Sequence, residues 1–229
     1  MVERRVGRPP RIDRATIARA AGEIGIDQVS LRSVAERLGV SVPGLYHYVR
    51  GRDDLLRLAA EQSAARIELP TDRGQHWAAW LLEWADVIRR ALVESPALLA
   101  QFMNGGFGLD RMVETLEVVI AVLVRHGFDR REAYEAYLVV THCAMGAAVT
   151  EIRRRETDEP NNPIALEYQR VLAQRDAREL PHLRAMLAAG PPPDPAPADQ
   201  LTTVLAGIAA RRGDDWREVV DRLRDHPAG

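Results

Sequence analysis

The chain has 229 residues, of which 46% are hydrophobic and 28% charged, a size that suits one small domain and one larger domain. It contains no apolar run as long as a membrane span and no apolar leader segment, and a lone cysteine excludes an internal disulfide, so we expect a cytoplasmic protein. The net charge is only −2, but ten arginines against five acidic residues give residues 1–52 a charge of +5, which favours an anionic partner for this end.

Residues 1–11 form a polar, proline-containing arm whose basic residues are Arg4, Arg5, Arg8 and Arg11. Basic arms of this kind lie along phosphates or enter a minor groove in other DNA-binding domains. A disordered tail is the alternative interpretation.

Three short helices are predicted within residues 12–58. Asp13 can cap a first helix that extends to about Ile24. Ser30 can cap a second helix, and Gly39 can end it, because glycine readily adopts the left-handed conformation that a sharp reversal needs.

Ser41 can then cap a third helix, which buries Leu45 and Val49. Its outward positions are Val42, Pro43, Gly44, Tyr46 and His47. Two short helices joined by a tight turn in this way place the second helix in the major groove of DNA, so we predict a helix-turn-helix domain. An ordinary surface hairpin of helices is the alternative.

The run SVAERLGVSVPGLYHYVRGRDDLL resembles the DNA-binding domain of the TetR family of one-component transcriptional regulators. The resemblance implies a homodimer, a double-stranded DNA operator and usually a small-molecule effector. The candidate DNA-binding residues are Arg32, Ser33, Ser41, Val42, Pro43, Gly44, Tyr46, His47, Tyr48 and Arg52.

Within this set, Arg32 is the candidate for direct base reading, because its guanidinium fork can grip a guanine edge. A contact to phosphate or to solvent is the alternative for that arginine. Tyr46 and Tyr48 resemble the family residues that bond phosphate oxygens. His47 can contact a base or simply be exposed.

A fourth helix is predicted from Arg52 to about Ile67. We assign residues 59–229, which include the second half of this helix, to an effector-binding and dimerisation domain with a proline-rich linker at 191–197. Its predicted helices cover residues 75–94, 96–103, 110–126, 130–155 and 164–189, and an amphipathic stretch covers 199–225, with a possible break near Gly213. The fold class is therefore all-α: a three-helix DNA-binding domain followed by a larger helical bundle.

The segments VETLEVVIAVLVRHGFDRREA and THCAMGAAVTE are similar to the C-terminal domain of tetracycline repressors. The resemblance implies that the helix at 130–155 and the last long helix pair with their twins in a four-helix dimer interface. The helix at 130–155 carries small or apolar side chains around most of its circumference, so other helices must cover it on several sides. The candidate interface residues are Val139, His142, Cys143 and Gly146.

Trp77, Trp80 and Trp84 form a stripe on one predicted helix. Such a stripe is usually core packing, but in a domain with few aromatic residues it can also wall an apolar cavity. The candidate effector-binding residues are Trp80, Trp84, Phe102, Met103, Phe107, Tyr134, Tyr137 and Thr141.

Tetracycline repressors hold a metal–drug complex partly through a histidine and a glutamate. This chain has Phe102 and Thr150 where the local patterns align. We therefore expect a largely apolar or aromatic effector, no metal and no cofactor.

These patterns predict a transcriptional repressor that an effector releases from a palindromic operator. No glycine-rich phosphate loop, nucleophile elbow or metal-spaced histidine pair indicates an enzyme. The remaining alternatives are a regulator that senses a protein partner or no effector, an activator, and a ligand-binding protein or enzyme without DNA affinity.

Overall fold

The computed structural model describes residues 12–105, 108–157, 163–189 and 197–224. These residues contain helices and no strand, so the all-α prediction is confirmed. The helices are α1 Arg14–Ile24, α2 Leu31–Leu38, α3 Val42–Leu45, α4 Arg52–Ala65, α5 Trp77–Glu94, α6 Pro96–Met103, α7 Leu109–Arg125, α8 Arg130–Thr157, α9 Pro163–Ala173, α10 Pro181–Ala188, α11 Pro197–Arg212 and α12 Trp216–Arg224. The predicted basic arm and residues 191–196 of the predicted linker lie outside the described residues.

The chain divides into two compact units. The first unit comprises Met1–Glu68 with Ser95–Thr115, and the second comprises Leu69–Glu94 with Leu116–Gly229. This grouping by compactness differs from the functional division predicted at residue 59, which stays a prediction. Its main consequence is that α6 belongs to the same unit as the predicted DNA-binding helices.

In the first unit, α1 packs against α2 and α4, and α2 packs against α3. The side chains of Ile17, Val34, Leu45 and Leu55 are completely buried between these helices. At Gly22, a Cβ atom would lie 2.4 Å from Cβ of Gln62, so α1 and α4 approach each other through a position that only glycine fits without a shift.

In the second unit, α5 packs along α8, and α11 and α12 complete the core. Trp80, Leu81, Leu123, Val140 and Leu205 are completely buried there. This core is larger and more aromatic than that of the first unit, because the second unit has more residues and contains the tryptophans of α5.

The single helix predicted over residues 164–189 is wrong, because α9 and α10 are separate helices. Pro181 has no backbone N–H and therefore begins a helix rather than continuing one. Leu180 before it adopts a left-handed φ of 54°. The Arg184 guanidinium donates hydrogen bonds to the carbonyl oxygens of Leu172 and Asp176, and so satisfies groups at the end of α9.

The amphipathic stretch predicted over residues 199–225 also forms two helices, α11 and α12. The break falls at Gly213, whose φ of 79° ends α11. The break considered near this glycine is thus confirmed.

Candidate functional site

The first half of the helix-turn-helix begins at a reciprocal cap. Ser30 Oγ accepts the backbone N–H of Ser33 at 3.0 Å, and Ser33 Oγ accepts the backbone N–H of Ser30 at 2.9 Å. Two amide groups that would otherwise lack partners are satisfied in this way. The cap therefore fixes the direction in which α2 leaves the preceding loop.

The turn into α3 has the geometry expected from its sequence. Gly39 is left-handed, with φ 67° and ψ 34°, and the following Val40 N–H donates to the Ala35 carbonyl at 3.0 Å. Ser41 Oγ accepts the Gly44 N–H at 3.3 Å and caps α3. The predicted roles of Asp13, Ser30 and Ser41 as helix caps are confirmed.

The outward side of α3 and of the turn after it carries two large exposed aromatic side chains. Tyr46 is 55% exposed and Tyr48 is 41% exposed, whereas Leu45 is completely buried. We call this surface the reading face, and it consists of Val42, Pro43, Gly44, Tyr46, His47 and Tyr48. Pro43 and His47 are also exposed, and Val42 and Gly44 are half-buried.

The remaining DNA-binding candidates differ in how free their side chains are. Arg32 pairs with Glu36 at 2.9 Å, and both side chains are mostly exposed. An ion pair this exposed is weak, so a phosphate or base can replace the glutamate. The hydroxyl of Ser33 is occupied by the α2 cap, and Arg52 is exposed in the first turn of α4. These assignments stay predictions.

Sequence reasoning missed Arg14, which joins α1 to the turn after α3 and to α4. Arg14 Nη1 donates to the Tyr48 carbonyl at 2.8 Å and to Asp54 Oδ2 at 2.9 Å. The hydrogen bonds from Arg14 hold the pKa of the Asp54 carboxyl well below its usual range. No local pattern announces this pair, because its members lie 40 residues apart.

A second missed contact ties the loop between α1 and α2 to α6. Asp27 Oδ1 accepts the Ala97 N–H at 3.0 Å, and Asp27 Oδ2 accepts the Ser95 hydroxyl at 2.5 Å. Ser95, at the N-cap position of α6, makes no capping bond with its own side chain. Asp27 therefore caps α6 from a distance of about seventy residues in sequence.

Four of the effector candidates meet between α5 and α8 in the second unit. The rings of Trp80 and Trp84 are parallel, with their centroids 6.4 Å apart. The centroids of the Trp84 and Tyr137 rings are 6.1 Å apart. Trp84 Nε1 donates to Thr141 Oγ1 at 3.4 Å. We call Trp80, Trp84, Tyr137 and Thr141 the aromatic cluster.

The aromatic cluster is part of the core. Trp80 and Trp84 are 0% and 1% exposed, and burial raises the pKa of the Tyr137 hydroxyl. Thr141 is a buried polar residue, so its hydroxyl needs hydrogen-bond partners, and Trp84 and Tyr137 provide them. Core packing is thus established for these residues, while a role in ligand binding stays a prediction.

The other effector candidates are not part of this cluster. Tyr134 is 43% exposed on α8, and Phe102 and Met103 lie on α6 in the first unit. Phe107 lies outside the described residues.

One side of α8 is open in the single chain. Val139 is 42% exposed, His142 is exposed and Cys143 is half-buried. Apart from the adjoining residues and backbone of α8 itself, nothing lies within 4 Å of the position that a Cβ would take at Gly146. This is the face predicted to meet a second copy, and that assignment stays a prediction.

Within the described part of the chain, no three histidine, cysteine, aspartate or glutamate side chains are grouped as a metal site would need. None of the described helices is long and apolar enough to cross a membrane.

Comparison with protein families matches both units. Residues 15–59 match the family described as "Bacterial regulatory proteins, tetR family". Residues 69–212, more than half of the chain, match the family described as "Tetracyclin repressor-like, C-terminal domain". The chain belongs to the TetR family. The resemblance inferred from its sequence motifs is confirmed, and this TetR-family protein is a DNA-binding transcriptional regulator.

Its relatives cover most of its length. An HTH-type transcriptional regulator of Saccharopolyspora erythraea is 27% identical over 93% of this chain and 81% of its own length. The tetracycline repressor protein class A from transposon 1721 of Escherichia coli is 28% identical over 86% of this chain and 90% of its own. These relatives are named as regulators, which agrees with the expectation of a regulatory protein.

Solved structures show the same fold. Apo ActR of Streptomyces coelicolor has a TM-score of 0.66 and 22% identity, over 89% of this chain and 99% of ActR. ActR in complex with actinorhodin gives the same values of 0.66 and 22%. The TetR-family fold of this chain is therefore shared with a protein solved both with and without a small molecule.

Proposed function

We propose that this TetR-family protein is a homodimeric repressor that leaves a palindromic operator when it binds a small, largely apolar or aromatic effector. The observation that carries the DNA-binding part is the reading face. Large aromatic side chains held outward in the turn directly after a short, capped helix gain little for the fold. A tyrosine hydroxyl at such a position is a suitable donor to a phosphate oxygen.

A dimer would bring two reading faces to one duplex. In proteins with this motif, paired helices enter successive major grooves about 34 Å apart, and the twofold axis of the dimer matches a palindromic site. The open side of α8, with exposed Val139 and the uncovered Gly146, supports a partner helix at this face. Small residues there allow two backbones to approach closely.

The aromatic cluster supports an apolar or aromatic effector. It offers flat indole and phenol surfaces with two hydroxyls, those of Tyr137 and Thr141, and no charged side chain among its members. Relatives named as tetracycline repressors and the ActR complex with actinorhodin support a polycyclic ligand. Phe102 and Thr150 in place of metal–drug ligands support a ligand bound without metal.

The route from effector to DNA runs along the chain through α5 and α6. Trp80 and Trp84 lie on α5, and α6 begins two residues after α5 ends. Within the first unit, α6 packs against α4 and is capped by Asp27. An effector that prefers the arrangement without DNA shifts the population toward it, and one with equal affinity for both arrangements has no effect.

The DNA-binding part is tested by Tyr46→Ala, with Tyr168→Ala as control. The two tyrosines are similarly exposed, at 55% and 46%, but Tyr168 lies on α9. A duplex is first selected from a randomised library by the full-length wild-type protein. Tyr46→Ala should weaken binding to selected and scrambled duplexes alike by roughly tenfold, since a phosphate contact carries no sequence information. Equal affinities for the two variants would remove Tyr46 from the interface.

The effector part is tested on the same complex. Uncharged polycyclic aromatic phenols are titrated into the protein–duplex complex in the presence of a metal chelator, and release is followed by fluorescence anisotropy. At least one such compound should release the duplex, and Thr141→Val should raise the concentration needed. A complex that persists with every compound supports a regulator without a small-molecule ligand. An activator would differ in where its operator lies relative to the promoter.

A further inference from the structure

We propose that Arg14 and Asp54 form a positioning pair for DNA recognition, which sets the orientation of the reading face without touching DNA. This inference rests on the proposed role of the reading face. It assigns a function to two residues that lie on α1 and α4, outside the helix-turn-helix itself.

The pair grips the backbone on both sides of Val49. Arg14 Nη1 donates to the Tyr48 carbonyl at 2.8 Å, while Nη1 and Nη2 bond the two oxygens of Asp54 at 2.9 and 2.5 Å. Asp54 Oδ2 in turn accepts the backbone N–H of Arg50 at 3.0 Å. One ion pair thus holds a carbonyl and an amide of the segment that joins α3 to α4.

This segment needs such a support because α3 is very short. The helix has four residues and ends in a turn closed by hydrogen bonds from the amides of Tyr48 and Val49 to the Leu45 carbonyl. The Tyr48 carbonyl lies in this turn, beyond the last residue of α3. Arg14 satisfies the Tyr48 carbonyl from another helix, and so fixes a residue of the reading face.

The arrangement requires arginine rather than any cation. A guanidinium presents several N–H groups in a rigid fork, so Arg14 bonds the carboxylate and the carbonyl at once. A lysine at the same position keeps the charge, but its three N–H groups leave from one nitrogen and do not match the spread of the carboxylate and the carbonyl. Asp54 is also shielded, with 12% of its side chain exposed, and takes a further bond from Arg57 at 2.8 Å. Contacts other than those of Arg14 therefore also hold the carboxylate in place.

The same unit contains a matched control. Arg37 on α2 pairs with Glu23 on α1 through Nε at 3.0 Å and Nη2 at 2.5 Å, and the side chains are 49% and 43% exposed. This pair also joins two helices of the first unit, but its two hydrogen bonds do not reach the segment that joins α3 to α4. An effect on DNA binding that Arg14 has and Arg37 lacks is therefore specific to the grip on Tyr48 and Arg50.

The experiment compares full-length Arg14→Lys and Arg37→Lys on the duplex selected by the wild-type protein. Arg14→Lys should lower affinity for that duplex about tenfold more than Arg37→Lys does, the loss expected for a hydrogen bond to a charged group. The slope of affinity against salt concentration should stay as in the wild type, because no phosphate contact is lost. Hydrogen exchange of the Arg50 amide should become faster in Arg14→Lys and in Asp54→Asn.

Three results would overturn the pair's role. The first is equal DNA affinity of Arg14→Lys and Arg37→Lys, which would reduce Arg14 to a structural ion pair. The second is a salt slope lowered by about one, which would make Arg14 a phosphate contact itself. The third is wild-type DNA affinity and amide exchange in Asp54→Asn, which also serves if Arg14→Lys does not fold. If instead the wild-type protein selects no duplex, the proposed role of the reading face fails and the pair's role in DNA recognition fails with it, whereas the three results above, obtained with a wild type that binds, overturn the pair's role alone.

Discussion

Two pairs of aromatic side chains, one pair in each compact unit, are placed in opposite ways. The first unit holds Tyr46 and Tyr48 outward, 55% and 41% exposed, whereas the second unit buries Trp80 and Trp84 almost completely. Exposed side chains contribute little to folding and are free to contact another molecule. Buried ones contribute to the fold whatever else they do. Binding and stability should therefore be separable by mutation in the reading face and inseparable in the aromatic cluster.

The largest expected effect is that of Trp84→Ala in the aromatic cluster. Removing a buried aromatic side chain typically costs about 3–5 kcal/mol, because contacts are lost and a cavity remains. Urea unfolding should show this loss, while the free energy of unfolding of Tyr46→Ala should stay within about 0.5 kcal/mol of the wild-type value. Wild-type stability of Trp84→Ala combined with an altered effector response would instead make the cluster primarily a ligand pocket.

A smaller loss is expected for Gly22→Ala in the first unit. The added Cβ would lie 2.4 Å from Cβ of Gln62, so α1 and α4 must move apart, at a cost of about 1–3 kcal/mol. Gly146→Ala is the control, because a Cβ there has no neighbour within 4 Å. In the monomer, measured at low protein concentration, this control should be neutral or more stable by up to about 1 kcal/mol. A thermal midpoint of Gly22→Ala at or above that of the wild type would show that the two helices adjust freely.

Asp27→Ala should disturb the link to α6 more than it disturbs folding. Loss of a helix cap costs about 0.5–2 kcal/mol, and Asp13→Ala should cost a similar amount because Asp13 caps α1 through Thr16. Only Asp27→Ala removes the contact with α6, so only this variant should shift the concentration of effector that releases the selected duplex. Identical release curves for the two variants would exclude the Asp27 cap from the route between effector and DNA.

The smallest expected effect is a difference in how the units respond to pH. Burial, and then the nearby Arg222, lower the pKa of His76, whose Nδ1 accepts the Ala78 N–H at the start of α5. The unfolded chain therefore binds a proton first, so this part of the second unit's stability is full above about pH 6.5 and declines as the pH falls further. The pKa of Asp54 is lowered by its bonds to Arg14, so its contribution persists until the pH falls below about 3.9.

Thermal midpoints measured between pH 7 and pH 5 test this difference. His76→Asn keeps an acceptor for the Ala78 amide but cannot be protonated, so it should flatten the decline in this range. Asp54→Asn should lower the midpoint at both pH values by the same amount and leave the decline unchanged. A decline in His76→Asn as steep as that of the wild type would assign the pH dependence to another group.

How much of the molecule could be predicted from sequence depended on the range of the interactions. The caps at Asp13, Ser30 and Ser41 act over three residues, so their pattern was legible before the fold was known. The helix predicted over 164–189 failed because α9 ends at Ala173 and α10 begins only at Pro181, and the apolar spacing within each segment does not show the break between them. The choice between core and cavity for the tryptophan stripe was open for a related reason: periodicity shows which residues share a helix face, and not what that face meets.

The sequence by itself determined the class of helices, their caps and turns, and the family to which the protein belongs, because each of these depends on residues a few positions apart. Only the tertiary structure decided that Arg14 reaches Tyr48 and Asp54, that Asp27 caps α6, and that Trp84 meets Thr141. These partners lie 34 to 70 residues apart. Contacts over such distances depend on how helices pack, and one chain's sequence pattern does not encode that packing in any local signal.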